Sequence, residues 1–184
     1  MLSQYHEKYR NQPDEELARR IEEKEKELIL IREATHPVFS LSTITIAVMG
    51  CGDRRFVQGH REIFAKVFDK TVAINTFDIT IDHLAGEDSV FQHDCTMPLP
   101  FGPYDITFAH VLLRFIPKES QWKLVKNSYN ALKPGGIAIH VLDPEDYQST
   151  ETVDLPMLEK QLVREGIKTH KVSLAIGMAL ILLK

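Results

Sequence analysis

Two glycines and two aspartates follow three apolar runs of the chain, each at the point where a run ends. Gly50 and Gly52 come after the run TIAVM, and glycine there lets the backbone turn tightly and lets a ligand approach without a Cβ in the way. Asp78 ends the second run, where a carboxylate can accept hydrogen bonds from both hydroxyls of a ribose. Asp94 ends the third run, where it can accept from an amino group such as that of adenine. The order of these groups favours a site for a nucleoside.

Each of these groups also has a purely structural interpretation. The two glycines can form an ordinary tight turn. Asp78 can cap a helix in the segment ITIDHL, and Asp94 can form a turn. Either interpretation suits each position alone, but three such positions at successive strand ends are much less frequent by chance.

Strands alternate with helices along the chain. The spacing predicts strands at 43–49, 71–77, 89–93, 104–113 and 137–143, and helices at 14–34, 56–68, 120–132 and 155–166. The C-terminal segments KTHKVSL and MALILLK are joined by a short turn and predict an antiparallel pair of strands. The pattern implies a three-layer α/β sandwich, with a mostly parallel sheet covered on both faces. In such sheets a ligand binds at the carboxyl ends of the strands, where the glycines and aspartates lie.

Composition limits the classes of protein to consider. The 184 residues suffice for one domain, which we predict at 41–184, preceded by an N-terminal helical extension at 1–40. The net charge of -4 gives no reason to expect nucleic acid as a partner. The polar N-terminus has no secretory signal and the longest apolar run is too short to cross a membrane, so we expect a cytoplasmic protein.

The N-terminal extension contains one amphipathic helix. Leu17, Ile21, Leu28 and Ile31 recur at helical spacing, whereas the middle segment EEKEKE is typical of a solvated face. Docking of this helix on its own domain is the favoured interpretation, and a homodimer formed through it is the alternative. The preceding segment YHEKYR could close over the site as a lid, although surface aromatics of a frayed terminus are favoured.

From about residue 44 to its C-terminus the chain resembles the class I S-adenosylmethionine-dependent methyltransferases. The matching segments are AVMGCGD, FDIT, HDCTMPLPFGPYDITFAHVLLRF, ALKPGGIAIHVLD and the final hairpin. The resemblance implies a Rossmann-like sheet of seven strands with a reversed last strand, and S-adenosyl-L-methionine as cofactor. It places the methionine part over Gly50, Cys51 and Gly52, the ribose on Asp78, the adenine near Ile79, Asp94 and Cys95, and Ala109 and His110 close to the sulfonium.

Two residues of the glycine turn depart from the family. An acidic residue usually stands where this chain has Val48, and a third glycine where it has Arg54. Arg54 can pair with the carboxylate of the cofactor, or its side chain can lie across the turn and obstruct the site. Obstruction is the favoured interpretation, because Val48 has also lost the acid expected at the same end of the ligand.

The acceptor of a methyl group is less evident in the sequence. His110 is the one candidate for a catalytic base, with a structural role as the favoured alternative. Cys51 is expected to pack under the turn, and the histidines show no spacing typical of metal ligands. We therefore predict a methyltransferase acting on a small molecule or a protein. A catalytically silent interaction module is the alternative, and a nicotinamide dehydrogenase fits poorly because it needs glycine in place of Arg55.

Overall fold

The computed structural model describes residues 12–184, which form one α/β sheet structure with an N-terminal helix. The elements are α1 (Asp14–Thr35), β1 (Thr43–Met49), α2 (Arg54–Phe68), β2 (Thr71–Asp78), β3 (Val90–Gln92), β4 (Tyr104–His110), α3 (Lys118–Asn130), β5 (Leu132–Leu142), α4 (Pro144–Gln148), α5 (Leu155–Arg164), β6 (Lys168–Ser173) and β7 (Met178–Leu183). Short 3₁₀ turns lie at Asp82–Leu84 and Leu113–Phe115. The two tyrosines of the predicted lid, Tyr5 and Tyr9, lie outside the described residues.

The seven strands lie in the order β3-β2-β1-β4-β5-β7-β6. Strands β1 to β5 run parallel, and β7 is antiparallel to both of its neighbours, β5 and β6. The predicted fold class is therefore confirmed, including the reversed last strand. Strand order reverses between β1 and β4, so the carboxyl ends of these two strands flank the crevice where open α/β sheets bind ligands.

Several predicted boundaries were wrong by a few residues. Strand β4 ends at His110 rather than at residue 113, because Val111 has a positive φ of 56° and a 3₁₀ turn follows. Strand β5 begins at Leu132 rather than at residue 137, and so includes the segment KPGG. Helix α1 begins at Asp14, as predicted, with Pro13 in the N-cap position.

The sheet is buried on both faces because its central strands are apolar on both sides. In β1, Ile44, Ile46 and Val48 face one core cluster, whereas Ala47 and Met49 face the other. Helices α1 and α2 contribute to the first cluster, and α3 and α5 contribute to the second. This packing holds the strands in place, so the carboxyl ends of the parallel strands lie together along one edge of the sheet.

Helix α1 docks on its own domain, as the favoured interpretation predicted. Leu17, Leu28 and Ile31 are buried at 1% exposure or less. Gly59 of α2 allows the close approach, because a Cβ there would lie 2.6 Å from Cδ1 of Ile21. From the sequence alone, Gly59 is a residue that weakens the predicted helix. In the structure, its lack of a side chain makes room for α1. Dimerisation through α1 stays a prediction.

Candidate functional site

A cavity of about 590 Å³ lies at the carboxyl ends of β1, β2, β3 and β4. Most residues that the sequence predicts as a site line this one cavity: Gly50, Cys51, Asp78, Ile79, Asp94, Cys95 and His110. Gly52 lines a second cavity, which shares Gly50, Cys51 and His110 with the first. The predicted residues are therefore brought together at one edge of the sheet, as the βαβ topology requires.

The glycine turn after β1 is fixed by hydrogen bonds from two neighbouring segments. The N–H of Gly50 donates to the carbonyl of Phe77 at 2.7 Å, and Nε2 of His83 lies 2.6 Å from the carbonyl of Cys51. Gly50 has a φ of 76°, which favours glycine, and an added Cβ would lie 2.9 Å from Cδ1 of Leu112. The turn therefore presents its backbone to the cavities in one conformation.

Asp78 connects the end of β2 to the glycine turn. Its side chain is 6% exposed. Oδ2 accepts a hydrogen bond from the N–H of Cys51 at 2.8 Å, and Oδ1 lies 3.3 Å from the N–H of Thr80. The cap interpretation is wrong, because the following 3₁₀ turn begins only at Asp82 and has Ile81 in its cap position. Both contacts hold the carboxylate on the wall of the larger cavity.

Asp94 forms the turn that its alternative interpretation predicted. Oδ1 accepts from the N–H and the hydroxyl of Thr96 at 2.9 and 2.7 Å. These hydrogen bonds, the side-chain one first, lower the pKa of Asp94, so the exposed carboxylate at the cavity is ionised at neutral pH. Burial raises the pKa of both Cys51 and Cys95 to about 12, so neither thiol is a nucleophile at neutral pH.

The end of β4 has an unusual backbone. Val111 lies in the left-handed region, where a β-branched residue costs about 1–3 kcal/mol. Its N–H donates to the carbonyl of Val141 at 2.9 Å, which helps to hold this conformation. The strained residue separates His110, which lines both cavities, from Leu112, which lines the first. Strain stored at such a position is typical of a functional site.

The second cavity, of about 410 Å³, lies between the glycine turn and α1. Lys24 and Glu27 of α1 line it together with Gly50, Gly52 and His110. Nε2 of His110 lies 3.0 Å from Oε2 of Glu27. Burial lowers the pKa of His110, and the charge of Lys24 lowers it further against the opposing effect of Glu27. His110 is therefore neutral at pH 7 and donates its Nε2–H to Glu27.

The comparisons with known proteins give no match in sequence but clear matches in structure. No protein-family model and no curated protein matches the chain. DesVI from Streptomyces venezuelae matches with a TM-score of 0.62 at 10% identity over 89% of this chain and 91% of its own. A TehB-like SAM-dependent methyltransferase from Corynebacterium glutamicum gives 0.60 at 12% identity over 86% and 87%. The complex of DhpI with SAM and HEP gives 0.58 at 14% identity over 85% and 84%.

The chain has the fold of the class I SAM-dependent methyltransferases. At these identities the likeness establishes the fold, and the site has to be judged from its own residues. In this methyltransferase fold the two cavities lie at the carboxyl edge of the sheet, on either side of the glycine turn.

Both predicted placements of Arg54 in the methyltransferase fold are wrong. Its side chain is 65% exposed, and Nε lies 3.7 Å from a carboxylate oxygen of Glu87. Arg54 lines neither cavity, because the first residue of α2 points its side chain away from the turn. It therefore neither obstructs the site nor approaches a ligand there.

Arg55 has a structural role at the start of the same helix. Its guanidinium donates to both oxygens of Asp53, at 2.8 and 2.9 Å, and also pairs with Asp14 of α1. Burial opposes ionisation of Asp53, but hydrogen bonds from the side chain and backbone of Arg55 outweigh it and lower the pKa of Asp53. The arginine thus ties the N-terminus of α1 to the glycine turn of the methyltransferase fold.

The sequence reasoning missed Lys24 and Glu27, which it assigned to a solvated face. The prediction is wrong for these two residues, since Lys24 lies against Phe56 and the side chain of Glu27 is 15% exposed. A signal was present in the spacing. Lys24 stands three residues after Ile21 and four before Leu28, so it lies on the apolar stripe of α1.

Two further properties concern the described part of the chain. Residues 12–184 contain no group of three or more His, Cys, Asp or Glu side chains able to hold a metal ion. Within the same residues no helix has the length and apolar character that a membrane span requires.

Proposed function

We propose that the protein is an S-adenosylmethionine-dependent methyltransferase acting on a small molecule or a protein. The observation that carries the proposal is the position of Asp78. It lies at the end of β2, buried, hydrogen-bonded to the glycine turn and on the wall of the larger cavity. That is the position from which a carboxylate can accept hydrogen bonds from a ribose in a Rossmann-like sheet.

The residues around Asp78 fit the other parts of the cofactor. Ile79 is 58% exposed at the cavity and offers an apolar surface to a purine ring. Asp94 is ionised and can accept a hydrogen bond from an exocyclic amino group. Gly50, Cys51 and Gly52 line the second cavity, so the amino-acid end of the cofactor can lie there beside the glycine turn.

When bound, the cofactor supplies a methyl group on a sulfonium, which an acceptor attacks in line. The protein has to align the two partners and, for an acidic acceptor, remove a proton. His110 is our candidate for the base. Its Nε2–H is held by Glu27, so the lone pair of the neutral ring is on Nδ1, where it can accept a proton.

A catalytically silent interaction module is the second candidate function. The specific observation in its favour is Val48, which is apolar and 1% exposed at the end of β1, so the strand itself brings no charge to the amino-acid end of the site. In that case the cavities would be a remnant of the fold, and the protein would act through its surface.

Calorimetric titration with S-adenosylmethionine and S-adenosylhomocysteine separates the two functions. We expect saturable binding of both, with NAD⁺ as a matched control that should not bind. Absence of binding would reject the enzyme and favour the silent module. Transfer of a labelled methyl group to fractionated small molecules and proteins would then identify the acceptor.

The proposal includes a cytoplasmic location. Cys51 and Cys95 are both free and buried, and such thiols persist in a reducing compartment. Fractionation of cells that express a tagged full-length chain tests the location.

A further inference from the structure

Lys24 lines the second cavity. In the described part of the chain no carboxylate lies within ion-pair distance of its ammonium group. The nearest groups around Nζ include two aromatic rings, with the centroid of Phe56 at 5.0 Å and that of Phe108 at 5.9 Å. Long charged side chains normally keep the charged end in water, so a partly buried lysine beside two aromatic rings needs an explanation.

Glu27 stands three residues after Lys24 on the same face of α1. One of its carboxylate oxygens accepts from Nε2 of His110 at 3.0 Å. The side chain of Glu27 is 15% exposed and lines the same cavity as Lys24. A positive and a negative group therefore stand side by side on one wall of the second cavity.

The glycine turn also lines this cavity. Strand β1, with the sequence TITIAVM, has no charged side chain to offer at this end of the site. Apart from Asp143, which follows β5, the charged side chains that line this cavity belong to α1, and Lys24 and Glu27 are two of them. An α-amino-acid group carries a carboxylate and an ammonium on one carbon, so a lysine and a glutamate three residues apart on a helix complement it.

We propose that Lys24 and Glu27 form a receptor for the amino-acid end of S-adenosylmethionine, with Lys24 pairing with its carboxylate and Glu27 with its ammonium. This inference rests on the proposed function. It assigns to α1, a helix outside the sheet domain, the charges that β1 lacks. Helix α1 then both closes the site and recognises the ligand.

Electrostatics support the assignment to Lys24. Burial lowers the pKa of Lys24 to about 8, and the negative charges of Glu27 and Asp143 only partly oppose this effect. A bound carboxylate would supply the missing counter-charge and raise the pKa of Lys24 again. Burial therefore destabilises the charged form of Lys24 in the free protein, and a bound carboxylate stabilises it.

Two ligands that differ only in the amino-acid end test the proposal. S-adenosylhomocysteine has this end, and 5′-methylthioadenosine lacks it. We expect Lys24→Met and Glu27→Gln each to weaken binding of S-adenosylhomocysteine by at least about tenfold, since a charge-assisted contact is lost. Binding of 5′-methylthioadenosine should change less than about twofold, because no contact to it is removed. Lys24→Arg should retain most of the affinity.

Lys123→Met is the matched control, because Lys123 is exposed on α3 and lies outside both cavities. Circular dichroism verifies that each variant is folded. An equal loss for both ligands, or no loss for either, would overturn the receptor while leaving the proposed function intact. Failure of the parent protein to bind either ligand would instead reject the proposed function, and the receptor with it.

Discussion

The two halves of the cleft are built in different ways. The half around Asp78 and Asp94 uses carboxylates at the ends of strands, each held by backbone N–H groups nearby. The half around Lys24 and Glu27 uses side chains of a helix that lies before the first strand in the sequence. The first half is part of the sheet, whereas the second exists only because α1 docks on it.

This difference predicts how each half responds to change. The Asp78 half has little to lose from loosening of α1, because Cys51 and Thr80, which donate to Asp78, lie in the turns after β1 and β2. The α1 half depends on the packing of Leu28 and Ile31, which hold the helix in place. Four experiments test this difference between the two halves.

The largest effect is expected from Leu28→Ala in α1. Leu28 is fully buried, so its truncation should lower the free energy of unfolding by about 2–5 kcal/mol. Leu30→Ala is the control on the same helix, because Leu30 is 41% exposed and its loss should cost far less. Urea denaturation of the three proteins measures the difference. Similar midpoints for both variants would show that α1 contributes little to the core.

The second effect concerns the Asp78 half. Asp78→Ala should weaken binding of S-adenosylhomocysteine and of 5′-methylthioadenosine alike, each by at least about tenfold, because hydrogen bonds to a carboxylate contribute about 1.5–3 kcal/mol each. Asp82→Ala is the control, since Asp82 is exposed nearby and lines neither cavity. Unchanged affinity in a folded Asp78→Ala protein would mean that this carboxylate only supports the glycine turn.

The third effect is a pH dependence of ligand binding, which arises from Lys24 in the α1 half. The pKa of Lys24 is about 8 in the free protein, and pairing with a carboxylate raises it. Affinity for S-adenosylhomocysteine is therefore full below about pH 8 and falls as the pH rises through the bound-state pKa. We expect a loss of about threefold to fivefold, smaller than for Lys24→Met, because a neutral amine still donates a hydrogen bond.

Lys24→Arg is the matched control for this titration, because arginine stays protonated. The ammonium of the ligand titrates in both proteins, so the difference between the two profiles isolates Lys24. The other charged groups that act on Lys24 are Glu27, Arg20 and Asp143. Parallel pH profiles for the two proteins would show that Lys24 does not pair with the carboxylate of the ligand.

The smallest effect is expected from Arg54→Gly. The arginine is 65% exposed and contacts Glu87 rather than either cavity, so affinity for S-adenosylhomocysteine should change less than about twofold. Isothermal titration calorimetry of the parent and the variant measures the two affinities. A gain of tenfold would restore the obstruction hypothesis, and a comparable loss would make Arg54 a ligand of the carboxylate.

The sheet and the Asp78 half follow from local patterns in the sequence. Apolar runs that end at Gly50, Asp78 and Asp94 place those residues at one edge, because parallel strands share their direction. The position of Arg54 could not be predicted, since a first-turn residue of a helix can point toward the turn or away from it. The role of Gly59 also stayed hidden, because the side chain that needs its space belongs to α1.

The order of strands and helices along the chain and the residues at the strand ends can be predicted from the sequence, because periodicity and turn residues act over a few neighbours. The position of α1, and which of its charged residues face inward, depend instead on contacts between distant parts of the chain. Lys24 and Glu27 stand in a run of six charged residues that local rules assign to solvent. Their partial burial depends on Phe56 and His110, which are more than 25 positions away in the sequence and contact them only in the folded structure.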